Sequence, residues 1–345
     1  NVTTVVSNGN YLSSVGLSGG PSECTLKAKS IDFRFVQDTV EVLGLEGQAY
    51  PGYTLRMFSD SAARVLKEFV FTRPVTLSGG GMFPMGDDMK LMKGRIRFDA
   101  SAGRVRYPLL GTTLDLGRTK GEVLISPQWV VVDKMMGTIW DGTFTGRILA
   151  QIDDGDALNG SFVLQDMNLT SIGKSYDKKM EKATVHGAIE FSSKGGNMNS
   201  IQAKGEAALV HGDLVEIPLF GFLGEALSNY IPGLGHLINY KISRADCDFS
   251  IEKGYVRTSN FAAQGSNMSL EGGGWIRLSD LQVNSDFKLG LRGLPGFITS
   301  PVFLLAGGLF QVRGTGPLSN VSWNFAPFSG GKAPVPPAAA PARKR

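Results

Sequence analysis

Cysteine, histidine and long apolar runs are scarce in this 345-residue sequence, which has two cysteines and three histidines. No stretch reaches the roughly 18 unbroken apolar residues of a membrane-spanning helix. The best run, Pro301 to Phe310, is short and contains Gly307 and Gly308. Cys24 and Cys247 define no disulfide framework by their spacing. A bridge between them would suit an oxidising compartment, but Cys247 sits on the apolar face of an expected strand and reads as an inert buried thiol. His186, His211 and His236 stand apart in the chain, and neither C-x-x-C nor H-E-x-x-H occurs, so no metal site is expected. A strong charge imbalance is also missing. The formal charge is +4 and the pI near 8.9, with basic residues scattered along the chain rather than gathered into stripes with aromatics, so nucleic-acid binding gains little support.

Catalytic signatures fail in the same way. Gly16-Leu17-Ser18-Gly19-Gly20 matches the serine-hydrolase elbow in letters. That elbow needs a helix directly after it to lift the hydroxyl, and Pro21-Ser22-Glu23-Cys24 follows instead. Gly173-Lys174-Ser175 resembles the end of a phosphate-binding loop, but Asn168 stands where the first glycine is required. Asp153, Asp154 and Asp156 could gather a hard cation such as calcium, but the run reads as a polar turn, and Leu158 spoils the spacing of a calcium loop. No enzyme activity and no cofactor are expected.

What the sequence does have is glycine, 45 residues, about twice the usual share of roughly 7%. With 42% hydrophobic and 19% charged residues, the chain can bury a sizeable core as one elongated domain or two compact ones. Most of it reads as short strands with period-two alternation between Gly, Asn, Asp and Ser clusters. Leu281, Val283, Phe287, Leu289 and Leu291 share one parity against Gln282, Asn284, Asp286 and Lys288. Ala245, Cys247, Phe249 and Ile251 do the same against Arg244, Asp246, Asp248 and Ser250. Asp141-Gly142 between Thr138-Ile139 and Phe144-Thr145 is a strong type I′ hairpin signal.

Two segments depart from this rhythm. Ala62, Val65, Leu66, Phe69 and Val70 recur at helical spacing behind Ser59 and Asp60, and Arg73-Pro74 marks the stop, which predicts a helix near 60–71. Leu219, Phe220, Leu223, Leu227, Tyr230, Ile231 and Leu234 form a wide apolar stripe that predicts a second amphipathic helix near 219–231, interrupted by Pro232-Gly233. A membrane-surface helix usually has Lys or Arg on its polar face, and none occurs between Gly212 and Tyr240, so this helix reads as a cap packed on one end of the sheet. The Pro/Ala-rich tail 329–345, ending Arg343-Lys344-Arg345, has nothing to bury and reads as disordered. The expected fold is mainly β: an elongated, curved antiparallel sheet with one greasy face and two short helices. By residue pattern alone that face either seals as a sandwich core or stays open as a groove.

From about Gly205 the sequence resembles a known family. The phrase Gly205-Glu206-Ala207-Ala208-Leu209-Val210-His211-Gly212-Asp213-Leu214-Val215-Glu216-Ile217-Pro218-Leu219-Phe220-Gly221-Phe222-Leu223 is similar to the AsmA-like C-terminal region, with its strand, "G-x-L-x-x-I-P-L-x-G-x-L" turn and apolar helix. The resemblance continues through Asp248-Phe249-Ser250-Ile251 with Gly254 and through Leu270-Glu271-Gly272-Gly273-Gly274-Trp275-Ile276. It ends at Val312-Arg313-Gly314-Thr315-Gly316-Pro317-Leu318-Ser319-Asn320, where Val321 replaces the family's final proline. It covers roughly 186–325. Ile139-Trp140-Asp141-Gly142 with Gly146 is more weakly similar to an earlier strand pair.

The resemblance implies an N-terminal β-rich part over 1–185 and an AsmA-like region over 186–328, together building a taco-like apolar groove. It also implies a non-enzymatic periplasmic protein of the bacterial envelope, concerned with phospholipid transfer between membranes or outer-membrane maintenance. Its inner-membrane anchor and membrane contacts would lie in segments missing from this chain, and a first residue of Asn1 reads as a processed piece. On that view acyl chains lie against Phe249, Ile251, Phe261, Leu281, Val283, Phe287, Leu289 and Leu291, while Leu219, Phe220, Leu223, Leu227, Tyr230 and Ile231 form a cap or gate. Phospholipid or another acyl-chain ligand is the expected partner, with envelope proteins as further partners. The alternative is a structural or adhesive envelope protein whose greasy face is a sealed core.

Overall fold

The computed structural model describes residues 3–7, 11–15, 25–51, 69–85, 92–109, 112–151, 157–177, 182–194, 200–214, 242–265, 268–291, 309–318 and 320–327. The architecture is mainly β and antiparallel, as the alternation predicts. The chain separates into two compact units, Asn1–Val163 and Leu164–Arg345.

The first unit begins with β1 (Thr3–Ser7), β2 (Tyr11–Val15), β3 (Thr25–Lys27), β4 (Ser30–Arg34) and β5 (Thr39–Ala49). It continues with β6 (Val70–Phe71), β7 (Val75–Pro84), β8 (Lys93–Asp99), β9 (Arg104–Leu109), β10 (Thr112–Ile125), β11 (Trp129–Ile139) and β12 (Gly142–Gln151). Pairing runs β1–β2–β4–β5–β7–β8–β10–β11–β12, always antiparallel. The first half of β10 pairs with β9 and the second half with β8. Two apolar clusters form where inward residues of successive strands meet. One gathers Val42, Leu45, Phe83 and Ile125 with Ala28 and Met92. The other gathers Ala49, Val75, Leu77, Ala100 and Val105.

β13 (Leu158–Asn168) spans the division. The second unit is a meander in which each strand pairs with the next. Its strands are β14 (Thr184–Ser193), β15 (Gln202–Leu214), β16 (Ile242–Glu252), β17 (Tyr255–Gly265), β18 (Met268–Arg277), β19 (Gln282–Leu291), β20 (Leu309–Pro317) and β21 (Ser322–Pro327). Between β13 and β14 lies the described α-helix α1 (Leu169–Ser175), which periodicity did not single out because it is only two turns long. Asn168, the residue that breaks the phosphate-loop pattern, is its N-cap: the side chain accepts from the Thr170 backbone N–H at 2.9 Å. Gly173-Lys174-Ser175 is therefore the end of a helix, not its phosphate-binding start.

The hairpin at Trp140 shows how register is chosen. Ile139 pairs with Gly142, so Trp140 and Asp141 are the two turn residues, both at positive φ, one position earlier than an Asp-Gly turn would place it. This register sets Phe144 opposite Gly137, and a Cβ on Gly137 would lie 2.7 Å from the Phe144 ring. The ring occupies the space that glycine leaves, which a one-residue slip would lose.

Both helices expected from periodicity fall largely outside the described residues, 219–231 entirely and 60–71 except for its end. That end is extended: Val70–Phe71 is β6, paired with β9. The Gly16–Gly20 and Asp153–Asp156 segments and the 329–345 tail also lie outside the described residues.

Candidate functional site

Residues directly opposite in an antiparallel ladder share a face, so the register of the second unit defines one surface across eight strands. Ile189 lies opposite Gly205 and Gly205 opposite Phe249, while Phe191, Ala203 and Ile251 form the next row. Ile251 continues to Val256 and Ile276, and Ile276 to Val283. Further along, Phe261 faces Gly272, Gly272 faces Phe287 and Phe287 faces Val312, with Ala263, Leu270 and Leu289 beside them. The opposite parity holds Lys204, Glu206, Asp248, Glu271, Asp286, Lys288 and Arg313. The greasy and wet faces expected from alternation are therefore contiguous.

A bulge keeps the apolar row in line on β17. The register shifts between Thr258 and Phe261 against β18, and between Asp246 and Ser250 of β16 against β17. Asn260 staples the bulge, with its Nδ2 donating to Asp248 Oδ2 at 2.7 Å and its Oδ1 accepting from the Asp248 N–H at 2.9 Å. The shift brings Thr258 and Phe261, three positions apart, to the same face, which simple parity forbids.

Burial divides this face into two zones. One zone is sealed: Leu270, Leu289 and Val312 have no exposed surface, and Val283, Phe287 and Trp323, with Ile242, Ala245 and Ala263 on β16 and β17, are also buried. Here Phe261 and Phe287 pack edge to face across Gly272 with ring centres 5.4 Å apart, and Phe287 and Trp323 lie 6.2 Å apart. In the other, Ile189, Phe249, Ile251, Val256 and Ile276 are only half-buried, although Ala203 between them is buried. An open hollow of about 830 Å³ lies there, bounded by Ile189, Gly205, Phe249, Thr258 and Gly274 and also by the charged side chains Glu190, Lys204, Glu206, Asp248 and Arg257. This volume is within the ~300–1,000 Å³ usual for small-molecule clefts.

The expected acyl-chain residues thus fall into different positions. Phe249, Ile251 and Phe261 are half-buried on the apolar face, and Phe249 borders the hollow. Val283, Phe287 and Leu289 share the face but belong to the sealed zone. Leu281 does not join them: it is a turn residue before β19, at φ 55° and 49% exposed, because the chain reverses there. Leu291 is in β19 opposite Met268, but its side chain is not described. The cap residues Leu219, Phe220, Leu223, Leu227, Tyr230 and Ile231 lie outside the described residues. Sequence reading missed Ile189 and Val256, since half-buried positions on β14 and β17 become neighbours of Phe249 only through pairing.

Cys247, opposite Ala207 on the apolar side, is a free thiol; burial pushes its pKa up, and the adjacent Asp248 and Asp246 carboxylates push it further the same way. The thiolate is disfavoured there. Ser285 is buried within the apolar face with its hydroxyl donating to the Gly314 carbonyl at 3.4 Å. His186 accepts from the Asp166 N–H at 3.3 Å. Among the described residues no group of three His, Cys, Asp or Glu side chains is placed to hold a metal ion, and no helix is long and apolar enough to cross a membrane.

No known protein family, curated protein or solved structure matches this chain.

Proposed function

We propose that this chain is a non-enzymatic acyl-chain carrier of the bacterial envelope, acting in the periplasm in phospholipid transfer or outer-membrane maintenance. The carrying observation is the half-buried apolar zone at Ile189, Phe249, Ile251 and Val256, beside an open hollow that Ile189 and Phe249 border together with charged side chains such as Lys204 and Arg257. Apolar area left in water has a standing free-energy cost of about 25 cal/mol per Å², which a bound acyl chain removes. The resemblance of 186–325 to the AsmA-like region supplies the envelope setting and the phospholipid class.

The test is extraction and mass spectrometry of gently purified protein, with a benzophenone amino acid placed at Phe249 and, separately, at Phe287. Recovered phospholipid with crosslinking from position 249 and none from 287 is expected. An empty extract together with silence at both positions overturns the proposal. A second reading, a structural envelope protein with a sealed core, draws on the complete burial of Leu270, Leu289 and Val312. It is selected by that second outcome.

A further inference from the structure

Basic residues that are scattered in the sequence meet on one face of the first unit. On the side of the sheet opposite Ile96, Phe98 and Val123, Arg97 lies across from Glu122, Arg95 from Leu124 and Lys120 from Asp99. Glu122 in turn lies opposite Asp133 of β11. Arg95 Nε and Arg97 Nε each stand 3.4 Å from Glu122 Oε1, Lys134 Nζ stands 3.9 Å from Oε2, and Arg147 Nε stands 3.6 Å from Asp133 Oδ1. Lys134 reaches this cluster from a bulge in β11, where its φ is 50°.

The two signs differ in height. The Glu122 side chain is 9% exposed and that of Asp133 32%, whereas those of Arg95, Arg97, Lys134 and Arg147 are 61 to 74% exposed. Short carboxylates form the floor and long cationic arms the rim, so an approaching surface meets positive charge first. Both arginines touch Glu122 through their Nε edge. Among the described residues neither guanidinium makes any other hydrogen bond or ion pair, and both side chains are largely exposed. Bidentate donors of this kind suit phosphate oxygens. Apolar groups flank them on the same face: Trp129 opposite Gln151 is 36% exposed, and Met136 opposite Lys120 is 41% exposed.

We propose that this face, centred on Arg95, Arg97, Lys134 and Arg147, seats the protein on an anionic phospholipid bilayer. Cations meet the headgroup phosphates while Trp129 and Met136 enter the interface, where an indole has both apolar and polar neighbours. An acidic protein partner would satisfy the cations but would leave the exposed Trp129 and Met136 without a role. The docking surface is independent of acyl-chain carriage, which uses the second unit.

Flotation of the intact chain with vesicles of phosphatidylcholine alone, and of equal parts phosphatidylcholine and phosphatidylglycerol, tests it. Binding to the mixed vesicles only, weakened roughly tenfold or more by high salt, is expected. Lys120→Gln/Arg147→Gln removes two exposed cations that do not touch Glu122, and should cost roughly tenfold or more in vesicle affinity with an unchanged thermal midpoint. Brominated lipid should quench tryptophan emission less in Trp129→Phe than in the parent. Equal binding to both vesicle types, or full affinity in the double variant, overturns the proposal. So does capture of a polyglutamate peptide without vesicle flotation. Flotation by a protein that yields no extracted lipid and no crosslink from position 249 or 287 would leave the docking surface standing and sink the carrier.

Discussion

Gly272 has Phe261 opposite it on one neighbouring strand and Phe287 on the other, and the two rings close over it. A Cβ at this position would stand 2.2 Å from the Asp286 carbonyl oxygen and 2.8 Å from the Phe287 Cα, backbone atoms that cannot swing aside. Gly205 is covered in the same way by Phe249, Gly146 by Phe162 and Gly314 by Trp323. The high glycine content is thus partly a packing device, in which an aromatic ring on one strand fills the place left by a missing side chain on the next. Gly272→Ala should lower stability by about 1–3 kcal/mol in a urea titration, through overpacking with no loss of apolar area. Sequence supplied the glycines and the aromatics. It could not say which lie opposite, because a pair such as Gly314 and Trp323 depends on the register between two strands.

At the scale of elements, the sealed and open zones make different predictions for the same substitution. Phe287→Ala removes a buried ring and should cost about 3–5 kcal/mol. Phe249→Ala removes a half-buried one and should cost less, on the order of 1 kcal/mol, while reducing any bound lipid if the hollow is the carrier site. Paired urea midpoints and lipid recovery read both effects. The β18–β19 turn adds a pH dependence. Arg277 donates through Nε and Nη2 to both oxygens of Asp280, at 2.8 and 2.6 Å, and this fork holds the Asp280 carboxyl below its ordinary value. The folded carboxyl is thus the stronger acid, so its contribution is present above the unfolded value near ~4 and is lost as pH falls through the lower folded one. Asp280→Asn should therefore be less stable than the parent at neutral pH and indistinguishable from it in strong acid, as thermal midpoints across that range will show. Leu281 beside this turn illustrates the limit of parity: the alternation that placed Val283, Phe287 and Leu289 correctly stops where the chain reverses.

For the whole molecule, the first unit presents a cationic face and the second an apolar one, and the two proposals assign them separable tasks. Delivery of the intact chain to anionic vesicles and retention of extracted phospholipid are independent measurements, so each outcome bears on one unit alone. The scattered basic residues show why a linear reading undervalues such surfaces. Arg97, Glu122 and Lys134 are far apart in sequence and meet only because β8, β10 and β11 are neighbours.

The sequence by itself determined the mainly β class and the two-faced character of the strands, because these are local properties of period-two alternation. Tertiary structure alone decided which part of the greasy face is packed and which is half-open, and that the hairpin turns on Trp140-Asp141. The physical reason is common to both: each depends on strand register or neighbouring strands, and one residue of slip exchanges every inward side chain for an outward one.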